Sequence, residues 1–263
     1  MNDDYNKKQR QYEEVEWQRY NLAPVVLTPA QEFYCTVEVS RTVELLHRHG
    51  LADVDRLLVC GVGGGDDLQY WLGHLRVRRC IGLDFAMEGV RAAQRRVAHE
   101  KLPNLVEYMQ ADIESIPLRD DSVDLVLVRH ALHHLADPRR GVRELFRVAR
   151  RGIAVVEPAD TFLMPLFQWI GLARRTEEMG NVVLRFQAAN YHDYLNGYSH
   201  SLEFRKCLYY YHPWINGRLI RFFDFPGGVS LLRGLHGVAS VLFFFLRSKG
   251  VAVITKDTGG AGS

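Results

Sequence analysis

The feature that most constrains this chain is an apolar segment that runs into glycines and is followed further along by an aspartate. Residues Leu57–Gly65 read Leu-Leu-Val-Cys-Gly-Val-Gly-Gly-Gly, and Asp84 closes a second apolar run, Cys80–Leu83. The first run predicts a buried strand that breaks into a glycine turn and continues as a helix from Asp66. Glycines tolerate positive φ angles and let a ligand approach bare backbone. With a carboxylate that can bind two ribose hydroxyls, the pattern predicts a nucleoside-binding edge of a parallel α/β sheet.

The residue after the glycines indicates which kind of nucleoside fits this turn. A dinucleotide fingerprint requires a third small residue at the position where this chain has Asp66. An aspartate there would repel a pyrophosphate, which argues against a nicotinamide oxidoreductase. A ligand without phosphates and with a positive centre suits the turn better.

Two further strand ends complete an ordered set of four motifs. A third strand, Val106–Asp112, ends in an acid, and a fourth, Val123–Val128, runs into Arg-His-Ala-Leu-His-His-Leu at residues 129–135. With these motifs the sequence resembles a class I S-adenosylmethionine-dependent methyltransferase, of the small-molecule subgroup with an Ala-Leu-His-His-Leu segment. The resemblance covers about residues 50–160.

The resemblance implies S-adenosyl-L-methionine as the cofactor and a set of residues that contact it. The glycines would face its methionine part, Asp84 would bind the ribose hydroxyls, and Asp112 would accept from the adenine amino group. Phe85 would stack near adenine and Ile113 would pack on the ring. The implied cofactor residues are Gly61, Gly63, Gly65, Asp84, Phe85, Asp112, Ile113 and Arg129.

One position departs from the family pattern. The family usually has an acid two residues before the first glycine, and this chain has Val59 there. That acid helps to order the turn and the methionine end of the cofactor. We expect Asp66 or Asp67 to take over this role; weakened cofactor binding is the alternative.

Composition and charge agree with a single α/β domain. The chain has 263 residues and a formal net charge of only +2, which gives no strong case for a nucleic acid or an acidic membrane as partner. Its four cysteines lack metal spacing, and two of them, Cys60 and Cys80, fall in predicted core strands as buried thiols. The sequence has no acidic cluster with the spacing of a metal site. The N-terminus has no apolar signal region, and the longest apolar run, Val238–Leu246, is shorter than the roughly 20 residues of a membrane span. We therefore expect a cytoplasmic protein.

Strands and helices alternate along the chain. The predicted strands are 56–60, 79–83, 106–112, 123–129 and 152–157, and the predicted helices are 29–49, 66–75, 87–101 and 138–150. Asp137 is the predicted N-cap of the last helix, with Pro138 at its first position. This alternation predicts an α/β fold with a doubly wound, mostly parallel, seven-stranded sheet and helices on both faces. We divide the chain into an N-terminal helical lid or cap (1–50), a cofactor-binding core (51–160), an acceptor-pocket insertion with the last strands (161–258) and a disordered tail (259–263).

The region after Pro158 is rich in aromatic residues and is the candidate acceptor pocket, since such pockets have apolar walls with few polar groups. An extra helical core is the alternative, and the two are compatible. A sixth strand is predicted over Lys206–Tyr211 and a seventh, antiparallel strand over Val251–Thr255. The candidate acceptor-binding residues are Glu157, Tyr210, Tyr211 and, from the N-terminal lid, Tyr20.

A strongly apolar helix is predicted over Val229–Arg247. We expect it to pack against the sheet. A homodimer face or contact with a membrane surface is the alternative.

The chemistry implied is an in-line transfer of a methyl group to a nucleophile, for which a hydroxyl acceptor also needs a base. Three histidines follow the strand end where the resemblance places the sulfonium, and imidazole titrates near neutral pH. His134, His133 and His130 are the catalytic candidates, with His134 preferred; a structural role for the pair is the alternative. We therefore favour an O-methyltransferase of a small molecule. An N-methyltransferase, or a cofactor-binding protein of this fold with no transfer activity or with a different reaction, remains open.

Overall fold

The computed structural model describes residues 2–22, 28–99, 105–169, 176, 184–209 and 219–257. The strands are β1 (Asp53–Cys60), β2 (Arg76–Asp84), β3 (Val106–Gln110), β4 (Val123–Arg129), β5 (Ala149–Pro158), β6 (His200–Cys207) and β7 (Lys249–Lys256). The helices are α1 (Asn2–Leu22), α2 (Pro29–Cys35), α3 (Val37–Arg48), α4 (Asp66–His74), α5 (Met87–His99), α6 (Pro138–Val148), α7 (Met164–Trp169), α8 (Ala188–Tyr194) and α9 (Gly228–Leu242).

The strands form one seven-stranded sheet in the order β3-β2-β1-β4-β5-β7-β6. Strand β7 runs antiparallel to both of its neighbours, and the other pairs are parallel. The mostly parallel, doubly wound sheet that the sequence predicts is confirmed, as is its antiparallel last strand. The strand order reverses between β1 and β4, and the carboxyl ends of strands at such a switch point are where α/β sheets bind ligands.

The central strands are apolar throughout because both of their faces are covered. In β1, Leu57 and Val59 pack with the helices on one side of the sheet, and Leu58 and Cys60 pack with the helices on the other. This alternation follows from the two-residue period of a strand. Cys60 and Cys80 are buried free thiols, as the sequence indicates.

Local signals fix several element boundaries. Asp137 caps α6, since its side chain accepts from the Arg140 N–H, and Pro138 occupies the first turn, as predicted. The prediction of one helix over residues 29–49 is wrong, because α2 and α3 are separate helices that meet at Thr36. The Thr36 hydroxyl donates to the carbonyls of Glu32 and Phe33, and this local bond competes with continuation of the helix.

The predicted position of the sixth strand is also wrong. The strand occupies His200–Cys207 and ends before the tyrosines that suggested it. It is an edge strand whose polar residues alternate with Leu202 and Phe204, both of which pack on the core. A half-exposed strand of this kind has a weaker apolar signal than the aromatic run that follows it. Tyr210 and Tyr211 lie outside the described residues.

The apolar helix near the C-terminus does not pack against the sheet as predicted. Helix α9 lies on α2 and on a short 3₁₀ turn, Ile220–Phe223, through Leu232 and its neighbours. The opposite face of α9 is exposed. Among the helices that the structure describes, none has both the length and the apolar character needed to cross a membrane.

A substitution at Gly65 tests the backbone conformation of the glycine turn without using a ligand. Its φ is +82°, and an added Cβ would lie 2.8 Å from the Ala93 Cα, which is backbone and cannot move aside. We expect Gly65→Ala to lower the free energy of unfolding by at least about 2 kcal/mol, through strain in the left-handed region and the clash with α5.

Gly73 is the matched control, because it lies in α4 with open space around its Cβ position. We expect Gly73→Ala to raise the free energy of unfolding by up to about 1 kcal/mol, through helix propensity. Urea denaturation measures both changes. Similar values for the two variants would contradict the assignment of strain to Gly65.

Candidate active site

The glycine turn leaves β1 at the switch point of the sheet. The N–H groups of Gly61 and Val62 both donate to the Leu83 carbonyl, at 2.8 and 3.1 Å, which ties the turn to β2. Gly61, Gly63 and Gly65 all have positive φ angles. A Cβ on Gly61 would lie 2.8 Å from the Ala131 Cβ, so the turn also touches the loop that follows β4.

Asp84, at the end of β2, holds the glycine turn through its carboxylate. Its Oδ2 accepts from the Gly63 N–H at 2.8 Å, and its Oδ1 accepts from the Ala86 N–H at 2.9 Å. Burial raises the pKa of Asp84 to about 7, with the nearby Glu13 and Glu14 adding to the effect, although the two backbone donors oppose it. The carboxyl group is therefore able to change its charge near neutral pH.

A cavity of about 250 Å³ opens above this turn and collects most of the predicted site residues. The predicted residues on its wall are Gly61, Gly63, Asp84, Phe85, Asp112, Ile113, His130 and His134. Five of the residues that line it are acidic, and none of the lining residues that the structure describes is Lys or Arg. A cavity with this lining favours a cationic ligand and disfavours one that carries phosphates.

Two predicted cofactor residues lie off this wall. Gly65 begins α4 and faces Ala93 of α5, where its lack of a side chain lets the helix pack closely. Arg129 lies behind the wall among carboxylates. The structure therefore places Gly65 and Arg129 behind the wall of the cavity, where they support neighbouring elements.

Helix α1 forms the opposite wall of the cavity. The Trp17 ring lies so close to Gly63 that a Cβ on Gly63 would overlap the ring. The Arg10 guanidinium lies 4.3 Å from the centre of the Phe85 ring. The sequence suggested a helical lid in this region, but it gave no signal for which side chains would face the glycine turn.

Helix α1 is fixed to the body of the protein by hydrogen bonds near its N-terminus and in its middle. The Tyr5 hydroxyl donates to the His134 carbonyl at 3.0 Å. The Glu14 carboxylate accepts from the N–H groups of Met87 and Glu88, both at 2.8 Å, at the N-terminus of α5. A carboxylate in that position satisfies helix N–H groups and complements the helix dipole. The side chain of Tyr20 lies outside the described part of the helix.

The acids near the glycine turn are distributed differently from the family pattern. Val59 is buried in the core, so the carboxyl end of β1 contributes no carboxylate. Asp66 pairs with Arg96 at 2.7 Å and is about half exposed. Asp67 reaches the guanidinium of Arg129 at 2.6 Å. Of the two acids proposed to replace the missing one, only Asp67 points to the end of β4.

A second carboxylate, which the sequence did not suggest, reaches the same guanidinium. Glu38 of α3 is fully buried and its Oε1 accepts from Arg129 at 3.0 Å. Burial alone would raise the pKa of Glu38. The positive charge of Arg129, a hydrogen bond with His130 and the charge of Lys249 outweigh it and hold the pKa at about 2. Glu38 is therefore ionised at neutral pH.

His130 adopts a left-handed backbone conformation, with φ of 55°, and both of its ring nitrogens are engaged. Its Nε2 lies 2.9 Å from Glu38 Oε1, and its Nδ1 lies 2.9 Å from Nζ of Lys249. Burial, together with the charges of Lys249 and Arg129, lowers the pKa of His130 to about 3 against the opposing effect of Glu38. The ring is therefore neutral, with Nδ1 accepting from the ammonium and Nε2 donating to the carboxylate.

Glu157 lies in the protein interior instead of at the pocket rim that the sequence suggested. It is fully buried, and its Oε1 accepts from the N–H groups of Ala131 and Leu132 at 2.9 and 2.6 Å. Its Oε2 lies 2.5 Å from Nδ1 of His133. Glu157 therefore fixes the loop after β4, and His133 is held with Nδ1 as the donor.

The aromatic insertion contributes to the core more than to this cavity. Among the described aromatic residues after Pro158, Phe186, Tyr191 and Tyr209 are buried, and the first two stack on each other in the core. These residues therefore support the alternative interpretation, in which the region after Pro158 adds to the core.

Comparisons with known proteins agree with this geometry. Residues 58–156 match the sequence model of a family described as "Methyltransferase domain". The uncharacterised methyltransferase YcgJ of Bacillus subtilis is 38% identical over 96 residues, which cover 36% of this chain and 37% of that protein. The demethylmenaquinone methyltransferase of Lactiplantibacillus plantarum is 28% identical over 94 residues, 34% of this chain and 40% of that protein. The chain thus spans about two fifths of the length of these relatives.

A solved structure extends the likeness to the fold of nearly the whole chain. The magnesium protoporphyrin IX methyltransferase ChlM of Synechocystis, crystallised with bound SAH, matches with a TM-score of 0.62 at 14% identity. The match covers 94% of this chain and 98% of that one. At this identity the likeness shows the fold.

The buried carboxylate predicts a pH-dependent contribution to stability. The pKa of Glu38 lies at about 2 in the folded protein against an ordinary value of 4.5. We expect Glu38→Gln to lower the free energy of unfolding at pH 7 by roughly 3 kcal/mol, since it leaves Arg129 short of a counterion. Because the folded-state pKa is the lower one, this loss is complete above pH 4.5 and disappears as the pH falls towards 2.

Asp66→Asn is the matched control, because it makes the same change at a half-exposed pair. We expect it to change the free energy of unfolding by less than about 1 kcal/mol. Urea denaturation at several pH values measures both variants. A loss in Glu38→Gln that is the same at pH 3 and pH 7 would contradict the assigned role of this carboxylate.

Proposed function

We propose that this chain, whose residues 58–156 match the model of a methyltransferase domain, is a class I S-adenosylmethionine-dependent methyltransferase that transfers a methyl group to an oxygen of a small-molecule acceptor. The observation that carries the proposal is the cavity at the switch point of the sheet. It joins the glycine turn, Asp84 and Asp112 in a wall with five acids and with no Lys or Arg among its described residues.

S-adenosyl-L-methionine fits this set of residues. Its sulfonium and ammonium groups are positive, it carries no phosphate, and the glycines give it close access to the backbone. Asp84 would bind the ribose hydroxyls, and Phe85, Asp112 and Ile113 would hold the adenine. Beside the cavity, Oε2 of Glu38 is buried without a hydrogen-bond partner among the described residues and would suit an ammonium group. When bound, the cofactor supplies an activated methyl group.

The N-terminal helix acts as the lid of this site in our proposal. Trp17 and Arg10 already cover Gly63 and the Phe85 ring. A closed lid keeps water away from the reacting groups and holds the acceptor in line, which is where most of the rate enhancement of such a transfer arises. Residues 1–50 would then serve as the cap of one domain, with residues 161–258 supplying the acceptor side.

His134 is the base that we favour for a hydroxyl acceptor. It lines the cavity, whereas His133 is buried and bonded to Glu157. His130 also reaches the cavity, but both of its ring nitrogens are engaged by Glu38 and Lys249. Glu157 then acts through the loop that it fixes, as a positioning residue.

Two other interpretations compete with methyl transfer to oxygen. An amine acceptor would need alignment but no base, and the same cavity would serve it. A binding protein, or an enzyme of this fold with another reaction, would bind the cofactor without transferring its methyl group. We further propose a cytoplasmic protein whose apolar C-terminal helix contacts a second copy or a membrane surface.

The raised pKa of Asp84 predicts how cofactor affinity depends on pH. The ribose hydroxyls donate to an ionised carboxylate, but the pKa of Asp84 is about 7 in the free protein. We expect the affinity for S-adenosylhomocysteine to rise by about tenfold per pH unit up to about pH 7 and to level off above it. Isothermal calorimetry measures this dependence.

Asp84→Asn should bind S-adenosylhomocysteine at least about tenfold more weakly at pH 8 and should lose the pH dependence. Asp112→Asn is the matched control, because it weakens binding but leaves the Asp84 carboxyl in place and keeps the dependence. A folded Asp84→Asn variant with unchanged affinity would contradict the ribose assignment.

Methyl transfer itself is tested with a panel of hydroxyl and amine metabolites, read by mass spectrometry for the gain of one methyl group. With an accepted hydroxyl substrate, we expect His134→Ala to lower the single-turnover rate by about 10² or more and to abolish its rise with pH, because a general base contributes that much. Cofactor affinity should stay within about twofold of the wild type.

His47→Ala, an exposed histidine of α3, is the control and should leave the rate unchanged. A normal rate and pH profile in His134→Ala would remove His134 as the base. If only amines gain a methyl group, the N-methyltransferase reading replaces the proposal, and if no acceptor reacts while the cofactor binds, the binding-protein reading does.

A further inference from the structure

One face of helix α1 lines the cavity with acidic, amide and aromatic side chains. These residues recur three or four positions apart, which places them on the same side of a helix. They are Asn6, Gln9, Tyr12, Glu13, Glu16 and Trp17. The basic residues of this stretch, Lys7, Lys8 and Arg10, are exposed and do not line the cavity. The face of α1 that meets the cavity is therefore negative.

Gln9 carries an acceptor that the described part of the protein leaves unused. The residue is buried, with an exposed fraction of 5%. Its Nε2 donates to Glu13 Oε1 at 2.7 Å, and this bond fixes the orientation of the amide because a carboxylate accepts but does not donate. Among the described residues, Oε1 of Gln9 has no hydrogen-bond partner. A buried carbonyl without a donor costs free energy, so this oxygen points to a ligand that has a donor.

The cofactor of the proposed function accounts for only part of the acidity of the cavity. Asp84 is assigned to the ribose and Asp112 to the adenine, and Glu114 accepts from the backbone N–H of the residue that caps α6, at 2.9 Å. Glu13 and Glu16 remain, and both belong to α1. Two carboxylates next to the unused carbonyl oxygen favour a second positive charge, in addition to that of the cofactor.

We infer that this face of α1 binds a protonated amine of the acceptor, which donates to Gln9 Oε1 and to the carboxylates of Glu13 and Glu16. The inference rests on the proposed function, because it takes the strand side of the cavity to be the cofactor side. A protonated amine supplies three donors and a positive charge, which a carbonyl oxygen and two carboxylates bind. Tyr12 and Trp17 line the same wall and add the aromatic neighbours that a cation favours.

The distance between this face and the proposed base indicates the class of acceptor. The Tyr5 hydroxyl donates to the His134 carbonyl at 3.0 Å, so the start of α1 lies beside the proposed base. Gln9 and Glu13 follow Tyr5 by about one and two helical turns, a rise of roughly 6–12 Å. An acceptor whose hydroxyl lies at His134 and whose amine lies at Gln9 is therefore a small amino alcohol or an aminoalkyl phenol.

The charge of the acceptor is tested with three phenols of nearly equal size. Tyramine is cationic, p-propylphenol is neutral and p-hydroxyphenylpropionate is anionic. Isothermal calorimetry measures their binding to the full chain saturated with S-adenosylhomocysteine. We expect tyramine to bind at least about tenfold more tightly than p-propylphenol, because its amine makes charge-assisted hydrogen bonds. The propionate should show no saturable binding, since the acids of the cavity repel it.

Two variants test the residues that hold the amine. Gln9→Leu and Glu16→Gln should each weaken tyramine binding by about tenfold and leave the affinities for p-propylphenol and S-adenosylhomocysteine within about twofold of the wild type. Gln18→Leu is the matched control, because Gln18 is an exposed residue of the same helix that does not line the cavity, and it should bind tyramine like the wild type. Circular dichroism verifies the fold of each variant, and Glu16→Gln keeps the test available if Gln9→Leu does not fold.

Equal affinity for tyramine and p-propylphenol, or no binding of tyramine, overturns the inference. If Gln9→Leu and Glu16→Gln weaken binding of S-adenosylhomocysteine as much as that of tyramine, this face of α1 belongs to the cofactor, and the inference is again overturned. None of these measurements requires methyl transfer. Selective binding of tyramine by a protein that methylates no acceptor contradicts the proposed function alone, whereas methyl transfer only to neutral or anionic acceptors contradicts the inference alone.

Discussion

A largely buried guanidinium, that of Arg129, organises the edge of the sheet where the cavity lies. Removing this group from water is costly unless carboxylates pair with it. The carboxyl end of β1 offers no acid, since Val59 is buried in the core, so Glu38 of α3 and Asp67 of α4 reach the guanidinium instead. Two helices are thereby fixed against the carboxyl ends of the strands. The His130 ring is fixed in the same way, because its Nε2 bonds to the same Glu38.

Helix α1 packs on the same backbone surface of the glycine turn that a bound ligand would contact. Trp17 lies where a ligand that uses Gly63 would also lie, so docking of this ring and binding at Gly63 compete. Glu14 connects the same helix to the N-terminus of α5, beside Asp84. The position of α1 is thus coupled to the charge of the carboxyl that binds the ribose in our proposal.

Patterns within short segments predicted the parts of the fold that depend on local physics. Strand β4 was predicted over the residues that it occupies, because a strand buried on both faces is apolar throughout. The cap at Asp137 located α6 in the same way. Strand β6 was misplaced, since an edge strand buries one face and gives only a weak alternation. The break at Thr36 was missed because it depends on a side chain that bonds the preceding turn.

The sequence by itself determined the α/β sheet, the glycine turn and the acids that follow β2 and β3, because each of these follows from periodicity and from the conformations that glycine allows. Only the tertiary structure decided which side chains complete the site. Glu38 lies 91 positions before Arg129, and Tyr5 lies 129 positions before His134. No local pattern encodes such contacts, because they arise only when the sheet brings distant segments together. Glu157 likewise became a buried anchor because folding placed three donors around it.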